Sequence, residues 1–150
     1  GCHPRTKAEM IASAFRFPST VKEESEIRLK SIELLKFVHL DKMASLPSPN
    51  LPFGKQKLLE IARALATEPK VLLLDEPAAG LNAYETSELA QFIYRIKEKG
   101  ITVLLVEHDM SLVMEVAEEI VVLDYGEKIA EGSPEIIQND QKVIAAYLGE

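Results

Sequence analysis

The chain has no tryptophan, a single cysteine and few aromatic residues, 6% in all. A lone cysteine, Cys2, cannot close an internal disulfide, which agrees with a reducing compartment. Sparse aromatics argue against a platform for stacking bases. Basic residues are also the minority, since 17 Lys and Arg face 24 Asp and Glu for a net charge of −7. A general nucleic-acid surface needs a basic face, so no nucleic-acid partner is expected. Long apolar runs are missing too. The cleanest, Val71–Leu74 and Ile101–Val106, are far too short to cross a bilayer. The opening GCHPRTKAEM lacks the apolar stretch of a signal peptide. No direct membrane span is expected, and any link to a membrane runs through a partner.

What is present suits one ordinary globular domain: 150 residues, 47% of them hydrophobic. The front part reads as helical. Thr6 and Glu9 have capping-box spacing ahead of Ala8, Ile11, Ala12 and Phe15 on one face, and Pro18 ends that element. Thr20 and Glu23 repeat the capping pattern and open a longer helix, with Ile27, Ser31, Leu34, Leu35 and Val38 facing inward. A stiff loop with Pro47, Pro49 and Pro52 precedes a helix from about Lys55 to Ala66. Its apolar positions Leu58, Ile61, Ala62 and Leu65 recur at helical spacing.

From residue 70 the period changes. Val71–Asp75 and Ile101–Val106 read as short buried strands, with a helix between them capped by Asn82 and Glu85 and closed by Gly100. Asp109 caps a short helix. Ile120–Leu123 is a third strand, Tyr125-Gly126 a turn, and Lys128–Ala130 a fourth strand. Ser133-Pro134 starts the helical tail. Strand–helix alternation implies parallel pairing with crossover helices. About three strands are expected to be parallel, which makes a thin sheet.

Three places can carry chemistry. Asp75 and Glu76 end the first strand in VLLLDEP. Side chains alternate along a strand, so Asp75 follows Val71 and Leu73 while Glu76 follows Leu72 and Leu74. The two acids therefore suit separate tasks at the carboxyl end of a parallel strand, one on Mg²⁺ and one on an attacking water. They read otherwise as two solvated acids at a strand exit. His108 ends the next strand and reaches the same rim if the two strands are neighbours. There it can donate to a phosphate oxygen or to the water, though it reads equally as a polar residue beside the Asp109 cap. The third place is LPFGKQ, where a helix begins with Gly54, Lys55, Gln56 and Lys57 instead of acids. A glycine-led, lysine-bearing helix start points to an anion from outside. Two solvent-exposed lysines after a proline-rich loop are the plainer reading. His3 and His39 lack partners at useful spacing, and His39 is better explained by a helix end.

A phosphate-binding G-x-x-x-x-G-K-[ST] loop is absent: Gly54-Lys55 is followed by Gln56, with Pro49 where the first glycine belongs.

Together these motifs resemble the ATP-binding subunit of an ABC transporter. LPFGKQ occupies the signature position, VLLLDEP the Walker B position, AGLN the D-loop and HDM the switch histidine. The segments LPFGKQKLLEIARALATEP, EHDMSLVM, LDYGEKIAEGSP and AYLGE are similar to the branched-chain amino acid importer type. The resemblance implies an α/β fold: part of a P-loop NTPase core with parallel strands, preceded by the ABC helical subdomain. It divides the chain at 1–69, 70–133 and 134–150. It implies that Asp75 orders Mg²⁺, that Glu76 is the general base, and that His108 positions the γ-phosphate of ATP. Gly54, Lys55, Gln56 and Asn82 would face nucleotide held by a second ATPase subunit, and the helical part would dock membrane permease subunits. Such a subunit is cytoplasmic and peripheral on the inner face of the membrane. Pro52 stands for the usual serine, Phe53 for a glycine, Lys55 for glutamine and Asn82 for aspartate. P-loop, adenine-stacking aromatic and Q-loop are absent, so the chain matches the C-terminal portion of such a subunit, unable to bind or hydrolyse ATP efficiently alone. Two other readings use the same residues differently: a non-catalytic module that docks a permease or self-associates, and a Mg²⁺-dependent hydrolase with another phosphate cradle.

Overall fold

The computed structural model describes residues 18–148. Cys2, His3 and the capping pattern at Thr6 lie outside them. Helix α1 spans Pro18–Phe37. Thr20 therefore lies inside a helix rather than capping one, and Pro18 is its first described residue. Two short 3₁₀ turns, Asp41–Met43 and Ser48–Asn50, lead to α2, Phe53–Leu65.

The alternating part follows as β1 Val71–Asp75, α3 Ala83–Glu98, β2 Thr102–Val106 and α4 Met110–Val116. Then come β3 Ile120–Asp124, β4 Glu127–Gly132, α5 Pro134–Gln138 and α6 Gln141–Leu148. The local signals account for most boundaries. Asn82 Oδ1 accepts from the Glu85 N–H at 3.0 Å, and Glu85 Oε2 accepts from the Asn82 N–H at 3.1 Å, closing the capping box. Gly100 ends α3 with φ 78°, donating its N–H to the Lys97 carbonyl. Tyr125 and Gly126, both at positive φ, form the two-residue turn of the β3–β4 hairpin.

The sheet departs from the expected three parallel strands. Among the described residues, β1 and β2 alone pair in parallel, Leu73 opposite Leu104 and Asp75 opposite Val106. Strand β3 pairs antiparallel with β4 in a separate two-stranded sheet. The reason is local: a two-residue turn returns the chain antiparallel beside β3, whereas no described strand bridges β2 and β3.

The core lies on one side of the parallel pair. Leu72 and Leu74 pack with Leu89, Ile93 and Ile96 of α3, Leu112 of α4, and Ile61 and Leu65 of α2. A second cluster joins Val38, Leu40, Leu58, Ala62 and Phe92, so α1 and α2 are seated on α3. The other face of the pair is bare. Leu73 is 70% exposed and Leu104 55%, with Val71 and Val106 also exposed. Val121 and Leu123 of β3 are likewise uncovered. Parallel sheets are ordinarily covered on both faces, so this apolar surface is unusual.

Candidate functional site

The parallel pairing brings the ends of β1 and β2 to one rim. Asp75 ends β1 on the bare face, in line with Val71 and Leu73. The next residue breaks the strand's course. Glu76 sits at φ 44°, in the left-handed region that glutamate seldom enters, while its N–H still donates to the Val106 carbonyl at 2.9 Å. That kink delivers its carboxylate to His108 at the end of β2. His108 Nδ1 lies 3.5 Å from Glu76 Oε1, with both side chains largely open to solvent. Two acids adjacent in sequence are thus separated in place: Asp75 stays on the exposed sheet face, and Glu76, instead of following Leu72 and Leu74 inward as strand alternation predicts, is turned out by the kink and meets the histidine.

Glu107 was not singled out from the sequence. Its side chain is only 1% exposed. Oε1 accepts from the Ala78 N–H at 2.8 Å, and Oε2 accepts from the N–H groups of His108 and Asp109 at 3.0 and 3.2 Å. Strand alternation held the signal: Val103 and Leu105 face inward, and residue 107 continues that row. Asp109 caps α4, accepting from the Ser111 hydroxyl and from the N–H groups of Ser111 and Leu112. The Ser111 hydroxyl, then these backbone donors and the neighbouring His108, hold its carboxyl below the ordinary aspartate value, with desolvation opposing them.

The remaining candidates gather where α2 and α3 begin. Lys55 Nζ donates to both carboxylate oxygens of Glu88, at 3.0 and 2.9 Å. Gly54 is buried, and a Cβ there would stand 2.3 Å from Glu85 Oε1. Gly80, at φ 79°, lies under the Phe53 ring, which a Cβ would meet at 2.9 Å. Gln56 turns back to donate to the Leu51 carbonyl at 2.9 Å. Lys57 lies 5.7 Å from the centre of the Phe53 ring. The basic helix start does meet anions, but from within the chain: Glu85 and Glu88 supply the negative charge that the first turn of α2 lacks. No sequence pattern pairs residues that far apart. His39 follows the end of α1, with its ring edge on Phe92 and Arg95 Nη1 3.5 Å away.

The structure thus brings Glu76 and His108 together at one rim. Asn82, Gly54 and Lys55 meet through α3 carboxylates, and the loop 76–82 joins the two groups. Among the described residues, no group of three or more His, Cys, Asp or Glu could hold a metal ion. Asp75 offers one carboxylate.

An Asp-Glu rim on a parallel strand, a histidine on its neighbour and a glycine-led helix packed beside the following loop define an ATP-binding cassette architecture. Solved structures agree. A nucleotide-free ATP-binding cassette from an ABC transporter superposes with a TM-score of 0.78 at 34% identity, over 95% of this chain and 58% of that one. The ADP conformation of the cassette MJ1267 gives 0.77 at 33%, over 83% and 51%. The chain belongs to the ABC transporter family, whose model matches residues 2–79. A branched-chain amino acid ATP-binding cassette transporter model matches residues 127–150. Among curated relatives, the high-affinity branched-chain amino acid transport ATP-binding protein BraF of Pseudomonas aeruginosa is 42% identical over 149 residues. LivG of Escherichia coli K12, which carries the same description, is 41% identical. The match covers 99% of this chain and 58% of each relative's length.

Proposed function

We propose that these residues form the C-terminal portion of the ATP-hydrolysing subunit of an importer for branched-chain or related hydrophobic amino acids. The observation that carries this reading is the meeting of Glu76 with His108 at 3.5 Å on the rim of the parallel pair. Glu76 is the general base that takes a proton from the attacking water. His108 orients the γ-phosphate or that water. Asp75 offers a single carboxylate, which fits Mg²⁺, an ion held by one or two carboxylates plus substrate phosphates. When bound, the ion neutralises charge on the phosphates. The start of α2, with Gly54, Lys55 and Gln56, and the loop ending at Asn82 face the nucleotide of a second ATPase subunit, a contact for which Lys55 and Gln56 would have to leave Glu88 and the Leu51 carbonyl. Residues 1–69 act as the helical subdomain that docks the permease, 70–133 as part of the catalytic core and 134–150 as its tail. Since no described helix is long and apolar enough to cross a membrane, permease contact would hold the subunit at the inner face, on the cytoplasmic side.

A cassette in which these residues replace the matching region of the E. coli relative tests the reading. It should hydrolyse Mg-ATP, and Glu76→Gln should cut turnover by at least about 100-fold. An active Glu76→Gln cassette overturns the assignment. The 150 residues alone lack a phosphate-binding loop and should show no turnover.

A second reading has its own support. The bare face around Leu73 and Leu104 is apolar surface of the kind that self-associates. A strictly monomeric chain at high concentration in light scattering would count against it.

A further inference from the structure

We propose that Glu107 is a positioning residue, whose buried carboxylate ties the loop after Glu76 to the loop carrying His108 and so sets how closely those two side chains meet. The proposal rests on the reading of Glu76 and His108 given above. Glu107 is the one carboxylate of the rim shut away from water, 1% exposed beside largely open partners. A buried carboxylate is costly unless donors surround it, and here three N–H groups do so. They come from two segments. Oε1 takes the N–H of Ala78, two residues beyond Glu76; Oε2 takes those of His108 and Asp109. Each oxygen therefore serves a different loop, and the rigid carboxyl group is the bridge between them.

This division of labour singles out an ionised carboxylate. Glutamine at 107 would have the same volume but one acceptor oxygen. Its amide nitrogen is a donor and would face N–H donors of whichever loop it met. One loop would stay attached and the other would be released. Aspartate keeps both oxygens yet is shorter by one methylene, so it reaches one loop only.

The first arm needs no catalysis. In the 150-residue chain, Glu76→Ala should shift the ring nitrogen resonances of His108 in ¹⁵N spectra, because its neighbour is gone. Glu107 Oε2 itself lies 3.8 Å from His108 Nδ1, so Glu107→Gln moves the ring signal directly. The placement is read instead from Glu76→Ala added to Glu107→Gln, which should move the ring signal far less than it does in wild type, while the apolar core resonances of Leu89 and Ile93 stay in place. A Glu76→Ala shift of the His108 ring signal as large in the Glu107→Gln background as in wild type overturns the proposal. The second arm uses the hybrid cassette. Glu107→Gln should lower kcat about tenfold with KM for ATP little changed. Adding Glu107→Gln to His108→Ala should cost nothing further, because both remove the same placement. Losses that multiply, as two unrelated structural defects would, also overturn it. A hybrid cassette whose hydrolysis ignores Glu76→Gln overturns the catalytic reading instead, and the ring signal still decides the role of Glu107.

Discussion

Both carboxylate oxygens of Glu88 accept from the ammonium of Lys55, joining the start of α2 to α3 across 33 residues of sequence. Each side chain is about three-quarters covered, 26% and 19% exposed. This is no loose surface pair, and it fixes a lysine where a helix start repels positive charge. Removing the acid strands that lysine. Glu88→Ala should destabilise the chain by about 1–3 kcal/mol, read as a lower urea midpoint with unchanged slope. Glu88→Gln should lie between, since one acceptor survives. A Glu88→Ala chain as stable as wild type would show the pair to be idle.

Gly54 makes room for Glu85. The carboxylate it accommodates is already committed to the Asn82 N–H, so an added methyl cannot simply push it aside. Gly54→Ala should cost roughly 1 kcal/mol in the wild-type background despite the better helix propensity of alanine. In a Glu85→Ala background the same change should be neutral or stabilising, because the obstacle is gone. The double-mutant cycle reads the difference directly.

Asn82 holds the N-terminus of α3 through its side-chain oxygen. Asn82→Ala should cost about 1 kcal/mol. Asn82→Asp should match or exceed wild type, because aspartate keeps the acceptor and adds a charge favoured at a helix start. Thermal melts of the three chains would rank them.

Asp109 makes part of the stability depend on acid. Its carboxyl is held below the ordinary 3.8, chiefly by the Ser111 hydroxyl. A depressed folded value means the contribution is complete above the ordinary value and disappears as pH falls through the lower, folded one. The stability advantage of wild type over Asp109→Asn should therefore be larger at pH 7 than at about pH 3. Urea titrations at both values check it, and an advantage that grew in acid would contradict the sign.

Where residues near in sequence decide a feature, the sequence displays it. Four aliphatics ending in an acid mark β1, Asn82 and Glu85 mark a capped helix, and Tyr125-Gly126 marks a hairpin turn. The rim of Glu76 and His108 was also legible, given that consecutive strands around a helix pair in parallel. Features decided at a distance were not. The ion pair of Lys55 with Glu88 needs α2 and α3 already packed. The Gly80–Phe53 contact joins two motifs whose separate meanings say nothing of their touching. Glu107 stood beside His108 in plain view, yet only strand alternation distinguished an inward acid from an outward one. The antiparallel course of β3 follows from the Tyr125-Gly126 turn, which the sequence displays, but that β3 pairs with β4 and not with β2 is decided by the wider packing.

The left-handed backbone at Glu76 sets two demands on one position in opposition. Asparagine tolerates that conformation better than glutamate. Glu76→Asn should therefore give a more heat-resistant chain with a shorter side chain that cannot serve as a base. A search for thermostability alone would drift toward that substitution, and the hardiest variants would include ones that had given up the carboxylate which the proposed function assigns as base.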